Sequence, residues 1–128
     1  MLRALDHVTV LSADFDRTMR FYCDLLGMRI GPRPAIRLPG FWLYLGDAAV
    51  LHVLPRRAGD APAPGGAIDH FALEADDLPA VEQRLRAAGQ PFEGRRLADS
   101  DTWQIFLNDP DGARVELSFA GQAPAGRP

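Results

Sequence analysis

Three histidines and one glutamate occupy matching positions in two halves of the chain that repeat each other. His7 lies in the segment LDHVTV, and His70 lies in IDHFAL 63 residues later. His52 lies in VLHVL, and Glu116 follows after 64 residues in RVELS. Unrelated structural histidines have no reason to share such offsets and contexts. Because imidazole and carboxylate groups bind divalent metals, the repeated pattern predicts a metal centre.

The predicted donor set contains three imidazoles and one carboxylate. Such nitrogen and oxygen donors suit Zn²⁺, Ni²⁺, Fe²⁺, Co²⁺ or Mn²⁺ and disfavour a hard-oxygen metal such as Ca²⁺. A metal with open positions would bind a small-molecule substrate through two adjacent oxygens and act as a Lewis acid. Glu116 and His52 are the catalytic candidates, because groups beside a metal can transfer protons. The alternatives are structural histidines, and a glutamate that pairs with an arginine such as Arg114.

Residues near Glu116 and on the other strands are predicted to contact the substrate. Arg114 is two residues from Glu116, so the two share one face of a strand, and Arg114 could hold a carboxylate or phosphonate. Polar and aromatic side chains complete the predicted substrate site: Gln104, Thr9, Ser118, Phe41 and Trp103. For the two aromatic residues, packing in the core is the alternative interpretation.

The bulk composition excludes several classes of function. The net charge is −3 and no basic stripe is present, which argues against a nucleic-acid partner. No apolar run is long enough for a membrane span, and a single cysteine cannot form an internal disulfide, so we expect a cytoplasmic protein. The chain has no lysine, which excludes Schiff-base chemistry on lysine and a P-loop.

Hydrophobic periodicity and turn residues predict the same order of elements in both halves. The first half has a strand at 5–11, a helix that Asp14 or Asp16 begins and Gly27 ends, and strands at 28–31, 41–46 and 49–54. The second has a strand at 68–74, a helix that Asp76 or Asp77 begins and Gly89 ends, and strands near 92–97, 102–107 and 113–119. The segment DPDG at 109–112 predicts a turn.

These elements predict an α+β fold with two βαβββ modules that form a cup-shaped mixed sheet around the metal site. The modules span 1–54 and 67–119, within a single domain over 1–120. The Pro-, Gly- and Ala-rich segment 55–66 is predicted as a linker, and 121–128 as a disordered tail.

Four segments resemble the vicinal oxygen chelate superfamily, which includes glyoxalase I, extradiol dioxygenases and bleomycin resistance proteins. They are LDHV at 5–8, FYCDLLG at 21–27, DHF at 69–71 and DPDGARVE at 109–116. The resemblance covers the chain to about residue 119. It implies a homodimer and metal ligands at the equivalent positions of each module: His7, His52, His70 and Glu116.

The resemblance favours a glyoxalase I-like lyase or isomerase. The alternatives are a non-haem iron extradiol-type dioxygenase and a bleomycin-resistance-like protein that sequesters a ligand without catalysis. Glyoxalase I enzymes usually carry glutamate where this chain has His52, whereas the dioxygenases typically use two histidines and one glutamate. His52 is therefore expected either as a ligand or as a base beside the metal. A fosfomycin-modifying transferase is disfavoured, because the lysine that it would use near the substrate is absent.

Overall fold

The computed structural model describes residues 1, 3–57, 68 and 70–128. It contains two compact units, 1–62 and 63–128, and the boundary between them falls inside the predicted linker 55–66. Most of that linker, residues 58–66, lies outside the described residues. In the described part of the chain, no helix is long and apolar enough to cross a membrane.

The first unit has the predicted order of strand, helix and three strands. Its elements are β1 (Val8–Ser12), α1 (Phe15–Met19) with a π-helical continuation (Arg20–Leu25), β2 (Arg29–Gly31), β3 (Phe41–Leu45) and β4 (Ala48–Pro55). The strands form one sheet in the order β1-β4-β3-β2. Strand β1 runs parallel to β4, and the other neighbours are antiparallel.

The second unit repeats this arrangement. Its elements are β5 (Phe71–Glu74), α2 (Leu78–Ala87), β6 (Glu93–Arg96), β7 (Trp103–Asn108) and β8 (Arg114–Phe119). The sheet order is β5-β8-β7-β6, with β5 parallel to β8. The α+β class and the two βαβββ modules are thereby confirmed.

Each sheet has one strongly apolar face that forms the core of its unit. In the first unit, Leu43 and Leu51 are register partners and both are buried. In the second unit, the pairs between β7 and β8 that line this face are Trp103 with Phe119, Ile105 with Leu117, and Leu107 with Val115. Because successive side chains of a strand point to opposite faces, the residues between these positions lie on the other face, away from the core.

Both helices begin at predicted capping residues. The Asp14 side chain accepts a hydrogen bond from the backbone N–H of Arg17, and the Asp77 side chain accepts one from Ala80. The first helix ends before Gly27, as predicted, but it widens from an α-helix to a π-helix at Arg20. The wider turn accompanies burial of the consecutive aromatics Phe21 and Tyr22, which a regular α-helix would place about 100° apart.

Both first strands begin later than the sequence predicts. The ladder between β1 and β4 starts at the pair Val8–Leu51, and the ladder between β5 and β8 starts at Phe71–Val115. His7 and His70 therefore lie one residue before their strands, at equivalent positions in the two units. The apolar side chains that suggested earlier strand starts are exposed, Leu5 at 84% and Ile68 at 81%, and do not join the core.

The segment 109–112 forms the predicted turn between β7 and β8. Asp109 Oδ1 accepts hydrogen bonds from the backbone N–H groups of Asp111 and Ala113, at 2.9 and 2.8 Å. Gly112 has a φ of 90°, which a residue with a side chain would adopt at a cost. The turn joins the two strands that carry Gln104 and Glu116.

The C-terminal segment 121–128, predicted to be disordered, makes several contacts with the second unit. Gln122 Oε1 accepts a hydrogen bond from the backbone N–H of Leu78 at the start of α2, at 3.1 Å. Arg127 Nη2 donates to Glu82 Oε1 at 3.0 Å, and its guanidinium lies 4.5 Å from the centroid of the Trp103 ring. All three partners are distant in sequence, so local composition gave no sign of these contacts.

The buried carboxylate of Glu82 generates a stability prediction. Burial alone would raise the pKa of Glu82, but hydrogen bonds and ion pairs with Arg127 and Arg86 outweigh it and hold the pKa below its usual value. We expect Glu82→Gln to lower the free energy of unfolding near neutral pH by about 1–2 kcal/mol, because both arginines are partly exposed and screened. Urea unfolding monitored by circular dichroism measures the difference.

The difference in the free energy of unfolding between Glu82→Gln and wild type should depend on pH. Because the folded-state pKa of Glu82 is lowered, its contribution is complete above the unfolded-state pKa and is lost as the pH falls through the folded-state pKa. The gap between Glu82→Gln and wild type should therefore narrow in acid. The exposed Glu74→Gln is the control and should change stability by less than about 0.5 kcal/mol. Equal losses in the two variants, or a gap that stays constant with pH, would contradict this account.

Candidate metal centre

In the second unit, His70 and Glu116 are in direct contact. His70 Nε2 lies 2.9 Å from Glu116 Oε2. Strand pairing explains the contact: Ala72 is the register partner of Glu116, and His70 stands two residues before Ala72 on the same side. Parallel pairing of β5 with β8 thus unites two residues that are 46 positions apart in the sequence.

The second oxygen of the Glu116 carboxylate is also occupied. Gln104 Nε2 donates a hydrogen bond to Glu116 Oε1 at 2.7 Å, from the neighbouring strand β7. Only 7% of Glu116 is exposed, so the carboxylate needs both partners to offset its loss of hydration. A histidine thus contacts one oxygen of Glu116 and an amide donates to the other, and together they fix the orientation of the carboxylate.

In the first unit, three rings form a stack. The His52 ring lies between those of Trp42 and His7, with centroid distances of 4.0 and 3.7 Å and interplanar angles of 5° and 16°. Trp42 and Thr9 are the register partners of His52 on the two neighbouring strands. The stack therefore lies on the sheet face opposite the core, as Glu116 does in its own unit.

The surroundings of the first-unit histidines favour the neutral ring of His52 and fix the tautomer of His7. Burial, and then the nearby His7, lower the pKa of His52, so its ring is neutral at physiological pH. His7 Nδ1 lies 2.7 Å from Asp6 Oδ2. Since a carboxylate only accepts hydrogen bonds, Nδ1 carries the proton and donates it, and Nε2 is the ring nitrogen left for a ligand.

The donor chemistry of the His70–Glu116 pair fits a divalent metal. His70 Nε2 and Glu116 Oε2 lie 2.9 Å apart and present one imidazole nitrogen and one carboxylate oxygen, which are common ligands of divalent transition metals. Within the described ranges, neither unit alone brings together three His, Cys, Asp or Glu side chains that could hold an ion. Each unit supplies two of the four predicted donors.

Four of the six predicted substrate residues lie on the same sheet faces as the predicted ligands. In the first unit, Thr9 is the register partner of His52. In the second, Ser118 and Arg114 alternate with Glu116 along β8, and Gln104 is the partner of Ser118. The sequence argument from strand alternation therefore placed these residues on the correct side.

The prediction that Phe41 and Trp103 line the site is wrong. Phe41 is the register partner of the buried Val53, and its ring packs edge-on against Phe15 of α1 at 5.1 Å. Trp103 is 2% exposed and is the register partner of Phe119 on the core face. Strand alternation is the physical reason: Gln104 faces the site, so its neighbour Trp103 must face the core.

The aromatic residues beside the candidate ligands are instead Trp42 and Phe106. Trp42 is the register partner of His52, and Phe106 is that of Glu116. The His70 ring lies edge-on to Phe106, with 5.7 Å between centroids. The repeat contained this signal, because Phe106 follows Trp42 by the same 64 residues that separate Glu116 from His52.

The hydrogen bond from Gln104 generates a second prediction. We expect Gln104→Met to lower the free energy of unfolding by about 1–3 kcal/mol, because methionine preserves the volume but leaves a buried carboxylate oxygen without its donor. Denaturant unfolding of the metal-free protein measures this loss. The control is Ser118→Ala, which alters the register partner of Gln104 on the same face and should change stability by less than about 0.5 kcal/mol. An unchanged Gln104→Met protein would show that Glu116 does not need this donor.

Comparison with known proteins agrees with this architecture. The family model of the Glyoxalase/Bleomycin resistance protein/Dioxygenase superfamily matches residues 4–117. Lactoylglutathione lyase of Haemophilus influenzae is 30% identical over 119 residues, which cover 87% of this chain and 88% of that protein. Glutathione transferase FosA of Serratia marcescens is 26% identical, with 96% and 85% coverage.

Solved structures show the same fold. A glyoxalase-family protein from Bacillus anthracis superposes with a TM-score of 0.76 at 22% identity, covering 94% of this chain and 97% of that one. Lactoylglutathione lyase from Agrobacterium tumefaciens has a TM-score of 0.67 at 21% identity, with 92% and 94% coverage. With a family model that spans nearly all of both βαβββ units, the chain belongs to the Glyoxalase/Bleomycin resistance protein/Dioxygenase superfamily.

Proposed function

We propose that this chain is a divalent-metal-dependent enzyme of the glyoxalase I type, a lyase or isomerase that acts on a small oxygenated substrate. The observation that carries the proposal is the contact between His70 Nε2 and Glu116 Oε2 at 2.9 Å, made by a carboxylate that is almost completely buried. The relatives named lactoylglutathione lyase support this reaction class. We further propose His7 and His52 as the ligands from the first unit, and a homodimer as the assembly.

The metal would be Zn²⁺, Ni²⁺, Fe²⁺, Co²⁺ or Mn²⁺, and when bound it would supply Lewis-acid polarisation of two adjacent substrate oxygens. Glu116 is the first candidate for moving a substrate proton. Its Oε1 accepts the hydrogen bond from Gln104, and its Oε2 faces His70. Oε2 is therefore the oxygen that would either bind the metal or accept the substrate proton. A fixed carboxylate of this kind suits general-base catalysis, because it need not reorient during the reaction.

His52 is the second candidate for proton transfer. Burial and the neighbouring His7 lower its pKa, so the neutral ring can accept a proton near physiological pH. Stacking between Trp42 and His7 holds the plane of the ring. We therefore assign His52 either as a ligand or as a base, and the two roles predict different effects on metal content when it is replaced.

Metal stoichiometry is the first test. Elemental mass spectrometry of untagged protein should find a transition metal in wild type and a large loss in His70→Gln and Glu116→Gln, which remove the charge or donor strength but keep similar volume. His52→Gln should lose metal if His52 is a ligand and keep it if His52 is a base.

Glu74→Gln is the matched control for metal content, since it removes an exposed carboxylate of the same unit. It should retain the wild-type amount. Failure of wild type to bind Zn²⁺, Ni²⁺, Mn²⁺, Co²⁺ or Fe²⁺ would overturn the enzyme proposal and favour a ligand-sequestering protein. Such a protein should bind an aromatic ligand equally well before and after chelation.

Activity separates the remaining alternatives. A glyoxalase I-type enzyme loaded with Ni²⁺ or Zn²⁺ should isomerise the hemithioacetal of methylglyoxal and glutathione, and Glu116→Gln should lower the rate by about 100-fold or more. Residual metal in the variant must be measured in parallel, so that lost chemistry is distinguished from lost metal. Metal binding without this activity, together with O₂ consumption in the presence of catechols and Fe²⁺, would assign a dioxygenase instead.

A further inference from the structure

Two arginines of the second unit lie against one aromatic ring of the candidate site. The guanidinium carbon of Arg95 is 4.5 Å from the centroid of the Phe106 ring, and that of Arg114 is 4.7 Å away. Arg95 comes from β6 and is the register partner of Gln104, while Arg114 comes from β8. Their side chains therefore converge on Phe106 from strands on both sides of β7.

Among the described residues, no carboxylate pairs with either of these two positive charges, those of Arg95 and Arg114. Other arginines of this unit do form ion pairs: Arg86 and Arg127 pair with Glu82, and Arg96 pairs with Asp101. Two guanidinium groups that share one ring repel each other, and an oxyanion bound between them would relieve this repulsion.

The arginines border the His70–Glu116 pair. Phe106 is the register partner of Glu116 and contacts the His70 ring edge-on, so one aromatic ring links the pair to both guanidinium groups. Next to Phe106 the unit has a cavity of about 350 Å³, lined by residues that include Arg114, Asn108, Glu93 and Pro91. This volume accommodates the body of a small organic molecule.

We propose that Arg95 and Arg114 form a carboxylate-binding subsite beside the His70–Glu116 pair, so that the part of the substrate that lies there carries a carboxylate. This inference rests on the proposed function for the role of the neighbouring pair. A singly charged carboxylate is favoured over a doubly charged phosphate, because Glu93 and Glu116 on the same face would repel the second negative charge. The guanidinium groups provide paired N–H donors that match a carboxylate.

The test measures binding to metal-free protein, so that it does not depend on turnover or on a metal. The probe is benzoylformate, an aromatic 2-oxo acid, and its neutral methyl ester is the comparison compound. Ligand-observed NMR on chelator-treated wild type should show saturable binding of benzoylformate and much weaker binding of the ester. Arg95→Met and Arg114→Met should each weaken binding of the acid about tenfold, as expected for the loss of one charged partner, and leave binding of the ester unchanged.

Arg86→Met is the matched control, because Arg86 also lies over an aromatic ring, that of Phe92 at 5.5 Å, but comes from helix α2. It should bind benzoylformate as wild type does. Thermal unfolding of each variant checks that the fold is retained. No binding of benzoylformate to wild type, equal binding of acid and ester, or an equal loss in the Arg86 variant would overturn the proposal. Tighter binding of phenyl phosphate than of benzoylformate would overturn the assignment to carboxylates.

These outcomes are independent of the metal experiment. Loss of metal in Glu116→Gln, with unchanged anion binding in both arginine variants, would support the enzyme proposal and reject the subsite. Anion binding that depends on both arginines, in a wild-type protein that binds no metal, would support the subsite and reject the enzyme proposal.

Discussion

Parallel pairing between the first and the last strand of each unit is the interaction on which the candidate centre depends. This pairing sets Thr9 beside His52 in the first unit and Ala72 beside Glu116 in the second. The pairing thereby brings His7 next to His52, and His70 next to Glu116. A shift of the register by one residue would turn His52 and Glu116 into the core and separate both pairs, because side chains alternate between the two faces.

The second unit stabilises its buried carboxylates Glu116 and Glu82 in different ways. On one face, Glu116 is held by a histidine and a neutral amide, which satisfy its oxygens without a permanent positive charge. Away from that face, Glu82 is held by two arginines, one of them from the C-terminal segment. The arginine pairs lower the pKa of Glu82 and make it a structural carboxylate, whereas Glu116 has an imidazole and an amide as partners and no guanidinium.

The two units repeat their topology but not their chemistry. In the first, a neutral His52 lies in an aromatic stack, and the nearby groups are rings. In the second, the corresponding position holds a carboxylate, and arginines surround the neighbouring aromatic ring. The same backbone arrangement thus offers uncharged nitrogen donors in one half and a charged donor with cationic neighbours in the other. The proposed metal ligands and the proposed carboxylate subsite both depend on this chemical difference between the two units.

The sequence by itself determined the order of elements, two candidate caps for each helix, the turn at 109–112 and the repeat that makes His7, His52, His70 and Glu116 candidate ligands. These features are local, or depend on a repeat that can be read without knowing the fold. Tertiary structure decided which strand faces carry them: it placed Trp42 and Phe106 beside the donors, and Phe41 and Trp103 in the core. It also decided the contacts of Arg95, Gln104 and Arg127, because their partners come from strands, helices and a terminal segment that are distant in sequence. Periodicity shows that neighbouring residues of a strand face opposite ways, but only the packed sheet decides which way is inward.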